Sequence, residues 1–185
     1  MDAAALDADE PGDEENGSLL EWADIVPLAA PVYPAPSRSH IRTRAKQLTP
    51  PGGILAVDTG AWVRKAGGTH FAVLSAVDLV VLTMAPTRME LERAGSVLGA
   101  LDHLQDVGAY CPRLVILLTM VNSSAASGDE TAEVLKTTGY TVLNTRIPRS
   151  DSRDGYGQAF GRVPRLVPDS PMDKLAAELA AEAAR

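Results

Sequence analysis

Ile54-Leu55-Ala56-Val57-Asp58-Thr59-Gly60 is a short apolar run that stops at an acid and a glycine. Four consecutive aliphatic residues, too few for a helix and without polar alternation, suit a strand buried on both faces of a parallel sheet. Three further runs have the same character. Leu79-Val80-Val81-Leu82-Thr83-Met84 is bounded by Asp78 and Pro86, Leu114 to Val121 follows Pro112, and Tyr140 to Leu143 follows Gly139.

The segments between these runs carry helical spacing. From Met89 to Val107 the apolar residues Leu91, Ala94, Val97, Leu98, Leu101 and Leu104 recur at helical intervals, and Gly108 is placed to end the helix. Asp129 to Thr138 reads as a helix ended by Gly139. Met172 to Ala184 reads as a terminal helix, with Ser170 as its cap and Pro171 at its first position. Upstream, Gly17 to Ala23 suits a short helix, Pro27 to Pro36 an extended segment, and Ser39 to Leu48 a helix. Strands alternating with helices predict an α/β fold, a three-layer sandwich with a mostly parallel sheet. Residues 1–16 read as an acidic, partly flexible segment, and residues 17–185 as one α/β domain.

Composition fits this picture. The chain has 185 residues, 45% apolar and 22% charged, with aromatics at 4%, so the core is built from aliphatic side chains. The formal net charge of -7 argues against a surface that grips nucleic acid everywhere. Charge is uneven, however. The acids Asp2, Asp7, Asp9, Glu10, Asp13, Glu14, Glu15, Glu21 and Asp24 precede any Lys or Arg, whereas Arg38, Arg42, Arg44 and Lys46 cluster without an acid. Arg146, Arg149, Arg153, Arg162 and Arg165 outweigh Asp151 and Asp154. Both basic clusters are candidates for contact with phosphate. Cys111, the single cysteine, excludes an internal disulfide and reads as a buried thiol. His40, His70 and His103 are scattered and show no metal-ligand spacing. No apolar stretch is long enough to span a membrane, and a cytoplasmic location is the expectation.

In parallel α/β sheets ligands bind at the carboxyl ends of the strands. The candidates are therefore Asp58-Thr59-Gly60, Met84-Ala85-Pro86-Thr87, Val121-Asn122-Ser123 and Ile147-Pro148-Arg149. Taken alone, Asp58 is equally a turn-capping residue, Asp9 one more acid of an acidic segment, and Asn122 and Pro148 good turn residues.

These strand ends, in this order, resemble the ParA/MinD family of partition ATPases. Ile54 to Gly60 resembles the family's strand ending in Asp-Thr-Pro-Pro, with Gly60 and Ala61 in place of the prolines. Leu117 to Asn122 resembles the strand that ends beside the nucleotide base. Thr145-Arg146-Ile147-Pro148-Arg149 resembles its Thr-x-Ile-Pro-Arg stretch, with the following turn at Tyr156-Gly157 or Phe160-Gly161. Leu6-Asp7-Ala8-Asp9-Glu10 and the segment Gly17 to Ala23 are similar to its Val-Asp-x-Asp-Pro-Gln loop and the helix after it.

The resemblance implies ATP and Mg²⁺ as cofactors. It implies that Asp58 is the metal-binding and catalytic carboxylate, that Asp9 orients the attacking water with Asp7 as its companion, and that Thr59 contacts the cofactor. Met120, Asn122, Pro148 and Arg149 would line the adenine pocket. It further implies a P-loop NTPase-like fold, plasmid or chromosome partition, a ParB-like centromere-binding partner, non-specific DNA contact at the nucleoid, and a homodimer.

One departure is decisive for activity. A P-loop lysine follows glycine and precedes Ser or Thr, so that backbone N–H groups and the ammonium surround phosphate. Of Lys46, Lys65, Lys136 and Lys174, only Lys136 precedes a Thr, and it follows Leu135 within a helical pattern. The residues present lack the family's first strand, P-loop and first helix, which predicts little or no ATP hydrolysis. Two further expectations follow. The chain acts as a non-catalytic interaction module that modulates a full-length relative or binds a ParB-like partner. Alternatively its start lies within a longer gene, and apolar strand edges left open invite pairing with another chain.

Overall fold

The computed structural model describes residues 2–9, 17–35, 40–60, 68–149 and 166–184. Packing divides the chain into two compact units, one built mainly from residues 1–77 and one mainly from residues 78–185.

Unit 1 contains β1 (Ala3–Asp7), α1 (Ser18–Ile25), β2 (Val32–Pro34), α2 (Ile41–Leu48), β3 (Ile54–Asp58) and α3 (Thr69–Leu74). Its strands form a parallel sheet in the order β2-β1-β3. Residues 3–7 are thus the central strand and not part of a flexible acidic segment. The reason lies in Ala4 and Leu6, which are buried at 4% and 0% exposure and take the strand into the interior before the acids begin. Ala8, Ile41 and Val73 form a small core packed against Val57, Ala35, Ala72, Ala76 and Val77. Helix α3 was not legible in the sequence, being only six residues long.

Unit 2 contains β4 (Leu79–Met84), α4 (Arg88–Asp106), β5 (Arg113–Leu118), α5 (Ser127–Thr137) and α6 (Pro171–Ala183). β4 and β5 pair in parallel in register from Leu79↔Arg113 to Met84↔Leu118. Alternate residues of β5 face opposite sides. Ile116 and Leu118 join Met84, Ala94, Ala132 and Leu135, whereas Val115 and Leu117 join Leu143 and Leu175. Full burial of each such aliphatic side chain contributes about 2 kcal/mol. The expected strand over 140–143 reduces to a parallel bridge between Ile116 and Val142.

Caps set the helix ends. Thr87 Oγ1 accepts from Glu90 N at 3.3 Å, and Ser170 Oγ accepts from Asp173 N at 3.2 Å with Pro171 opening α6. Gly108 and Gly139 follow α4 and α5 with φ of 65° and 94°, the left-handed region that glycine enters without cost.

Where the sequence predicts one mostly parallel sheet, the described residues show two parallel sheets. β3 hydrogen-bonds only to β1, and β4 only to β5. Consistent with this, β3 and β4 remain half-exposed along much of their length, while β5 is buried over its last four residues.

Candidate functional site

Three carboxylates converge at the carboxyl ends of β1 and β3. The two strands are parallel and in register, with Asp7 opposite Asp58, so their last side chains emerge at one level. Asp9 lies just beyond β1, where Ala8 N donates to Asp58 O at 2.8 Å and keeps the chain beside β3. Asp7, Asp9 and Asp58 each bring a carboxylate oxygen within 4.8 Å of those of the other two.

The three are held differently. Asp7 is 3% exposed. Its Oδ1 accepts from Asp9 N at 3.1 Å and its Oδ2 from Leu20 N at 2.9 Å. The second bond caps α1. The helix opens at Gly17 without a cap from its own side chain, and Asp7 satisfies one of the orphan N–H groups from a distance in sequence. Gly17 is required there, because a Cβ would overlap the Asp7 carboxylate. Asp9 Oδ2 lies 3.4 Å from Ser18 N and 3.5 Å from Ser18 Oγ. Its Oδ1 is buried and, among the described residues, has no hydrogen-bond partner. Asp58 is the exposed member of the set.

Partial burial of the Asp58 carboxylate, then the charges of Asp9 and Asp7, push its pKa above the ordinary aspartate value, and a hydrogen bond from Thr59 N–H pulls the other way. Although Asp58 as a residue is exposed, its carboxyl end lies against the strand ends, and the neighbouring negative charges act in the same direction as burial. Among the described residues no ion pair involves any of the three. The site therefore concentrates negative charge, offset among the described residues by N–H groups at the amino end of α1, at Asp9 and at Thr59.

Gly60, two residues past β3, lies against this cluster. His70, buried at 9% exposure, places Nε2 at 3.1 Å from Gly60 O. A Cβ on Gly60 would stand 2.6 Å from Asp9 Oδ1, so Gly60 presses directly on the orphaned oxygen. Nothing in the spacing of the histidines points to His70; the fold alone reveals it. Asp7, expected as a companion only, is the most buried of the three acids.

A buried oxygen without a donor is costly, and oxygen-only ligands suit hard divalent cations. The three carboxylates are thus a group that could hold such an ion. Thr59 is half-buried beside it.

The expected base-binding residues lie in unit 2. Val121 and Pro148 form a parallel bridge, with Val121 N donating to Ile147 O at 3.1 Å and Arg149 N to Val121 O at 3.0 Å. This brings Met120, Asn122, Pro148 and Arg149 to one pair of strand ends. Met120, expected to line the adenine pocket, is 68% exposed and adopts φ 52°, where a side chain is unusual. Met89 is likewise exposed at 62%, while Met84 is core. Asn122 Oδ1 accepts from Ser124 N and Oγ at 3.1 and 2.8 Å, tying the turn. Glu178 on α6 supports the neighbouring segment, accepting from Asn144 N at 2.7 Å and Thr145 N at 2.8 Å.

The basic clusters are partly engaged. Arg146 pairs with Asp129 at 2.6 Å, and the Arg44 guanidinium lies 5.6 Å from the centre of the Tyr33 ring. Arg38, Arg153, Arg162, Arg165 and the turns at Tyr156-Gly157 and Phe160-Gly161 lie outside the described residues. Cys111 is half-buried and not fully enclosed. Among the described residues no helix is long and apolar enough to cross a membrane.

Comparison with solved structures finds a chain named "Partition Protein". It matches with a TM-score of 0.51 at 10% sequence identity, over 97% of this chain and 63% of that one. The fold is partition-protein-like. This chain therefore spans less than two thirds of that partition protein. No family model and no curated protein matches the sequence.

Proposed function

We propose that this chain is a ParA-like partition protein serving plasmid or chromosome segregation. The observation that carries the reading is the convergence of Asp7, Asp9 and Asp58 at the carboxyl ends of adjacent parallel strands, where α/β folds bind ligands. It is supported by the order of the strand-end motifs and by the fold-level likeness to a partition protein.

In this reading ATP is the nucleotide. Asp58 and Thr59 face its metal, and Asp9 accepts a hydrogen bond from the attacking water. Mg²⁺, when bound, would offset phosphate charge. Phosphoryl transfer depends on positioned cationic and N–H donors around the phosphates. The residues present include no P-loop lysine, so turnover is expected to be negligible. An ATPase assay with magnesium tests this. Turnover that vanishes in Asp58→Ala would overturn the expectation of inactivity and restore a working ATPase.

A second reading is favoured by β3 and β4, which among the described residues pair on one edge only. Here the chain is a non-catalytic module that engages a full-length relative, a second copy of itself or a ParB-like partner, with DNA contact through its basic residues at the nucleoid. Co-purification with a ParB-like protein or a full-length relative tests it. Absence of both complexes by size-exclusion chromatography would count against this reading.

A further inference from the structure

We infer that the cavity at the amino end of β5 is a binding site for a small organic cation, an ammonium group carried on a short hydrocarbon chain. The inference goes beyond the partition reading and shares no residue with the carboxylates of unit 1.

The cavity lies wholly within unit 2, at the end of the sheet opposite Met84 and Leu118. Its volume is about 460 Å³, within the span of about 300–1,000 Å³ typical of small-molecule sites. The last turns of α4 and the segments 111–115 and 139–141 line it, with Glu182 of α6 beside them.

Helix α4 accounts for the space. Leu98, Leu101, Asp102 and Gln105 follow at i, i+3, i+4 and i+7, on one face of the helix. That face is apolar at first and then polar. Ala94, Val97 and Leu101 are buried, whereas Asp102 and Gln105 are exposed. A carboxylate and an amide without partners cannot be packed against aliphatic strand residues, and the cavity lies where they begin.

Charge selects the ligand. Arg113 Nη1 lies 3.4 Å from Glu182 Oε2, and its Nη2 donates to the Glu182 carbonyl. Glu182 is 8% exposed, so this pair is spent on holding α6 to β5. Asp102 has no hydrogen bond or ion pair among the described residues. The charge left uncompensated in the lining is therefore that of Asp102. It stands about one turn from the carboxyl end of α4, where the helix dipole also favours a cation. Gln105 offers an amide oxygen to an N–H donor, and Leu98, Leu101 and Leu114 supply an apolar wall. A hydrocarbon chain ending in ammonium meets both. An anion would face Asp102 while Arg113 is already taken.

Cys111 gives the site a reporter. Its thiol is half-buried, lies 3.8 Å from Leu101 O and lines the same cavity. As the chain's single cysteine it is the sole source of a thiol signal. The test uses the full chain at neutral pH, labelled with a neutral dipyridyl disulfide. The probe is n-hexylammonium chloride, with n-hexanol and sodium hexanoate as controls of matched length. Hexylammonium is expected to slow labelling saturably and at lower concentration than hexanol, with hexanoate the weakest. Asp102→Asn keeps the shape and removes the charge. It should erase the preference for ammonium over alcohol, about threefold, the scale of an ion pair that still faces solvent. Asp102 is exposed and unpartnered, so the substitution removes no contact of the fold. Calorimetric titration of both chains with the three probes reads affinity without the thiol. Saturable heat that is weaker in Asp102→Asn supports the site even where labelling is slow. No saturable binding of hexylammonium by either readout, equal potency of hexanoate, or an unchanged preference in Asp102→Asn would overturn it. None of these outcomes bears on the partition reading.

Discussion

Two groups of carboxylates in this molecule have opposite fates. In unit 1, Asp7, Asp9 and Asp58 crowd together, one oxygen has no partner among the described residues, and the Asp58 pKa is pushed up. In unit 2, Glu178 stands at the start of the Asn144–Thr145 segment. Its burial acts to raise the pKa, but hydrogen bonds from the backbone N–H groups of Asn144 and Thr145 outweigh that and bring it below the ordinary glutamate value. The same functional group is a fastening in one place and a concentration of unresolved charge in the other. Acids that serve only to hold a fold are surrounded by donors. Acids that are not so surrounded are where a ligand is to be sought.

The largest effect should come from closing the space beside Asp7. Gly17→Ala would force a methyl into the buried carboxylate, and a loss of about 3 kcal/mol is expected by urea denaturation. An unperturbed midpoint would mean that Asp7 is free to move and that its cap on α1 matters little. Next is the fastening itself. Glu178→Ala leaves two backbone N–H groups without their acceptor and should cost about 2 kcal/mol.

The two acids also respond to pH with opposite sign. Glu178 has a lowered folded pKa, so its contribution is present above its unfolded pKa and lost as pH falls through the folded one. Asp58 has a raised folded pKa, so the stability linked to it is present below its unfolded pKa and lost as pH rises through the folded one. Stability profiles of Glu178→Gln and Asp58→Asn, each compared with wild type between pH 3 and about pH 7, should therefore diverge in opposite directions. The smallest effect is expected for Asp58→Asn at neutral pH without divalent ions. A gain of about 0.3 kcal/mol matches the scale of exposed like-charge pairs. A loss instead would show that the Asp58 charge is compensated, and the contrast between the two sites would fail.

Much of the fold was legible because its elements are self-announcing. Leu79 to Met84 is bounded by Asp78 and Pro86 and forms a strand over those same residues. Ser170-Pro171 starts α6 as its chemistry requires. The central strand Ala3–Asp7 was hidden by its composition, since alanines beside aspartates read as a solvated segment until the strand's position between β2 and β3 is known. The candidate site was half legible. Asp58 is marked by the apolar run before it. Asp9 was reached only through resemblance, and the weight of Asp7 came from its burial. His70 and Gly60 became visible only through their contacts, His70 with the Gly60 carbonyl and Gly60 with Asp9. Contacts between residues far apart in sequence leave no periodic trace.

The division into two units also has an optical consequence. Trp22, on α1 beside the capped end that Asp7 holds, falls in unit 1, while the lone thiol of Cys111 falls in unit 2; Trp62 lies outside the described residues. In a Trp62→Phe background, tryptophan emission therefore follows the aspartate-bearing unit, and a fluorophore attached at Cys111 follows the other. One chain thus carries two separate reporters, and a melt recorded at both wavelengths reveals whether the units come apart in one step or two.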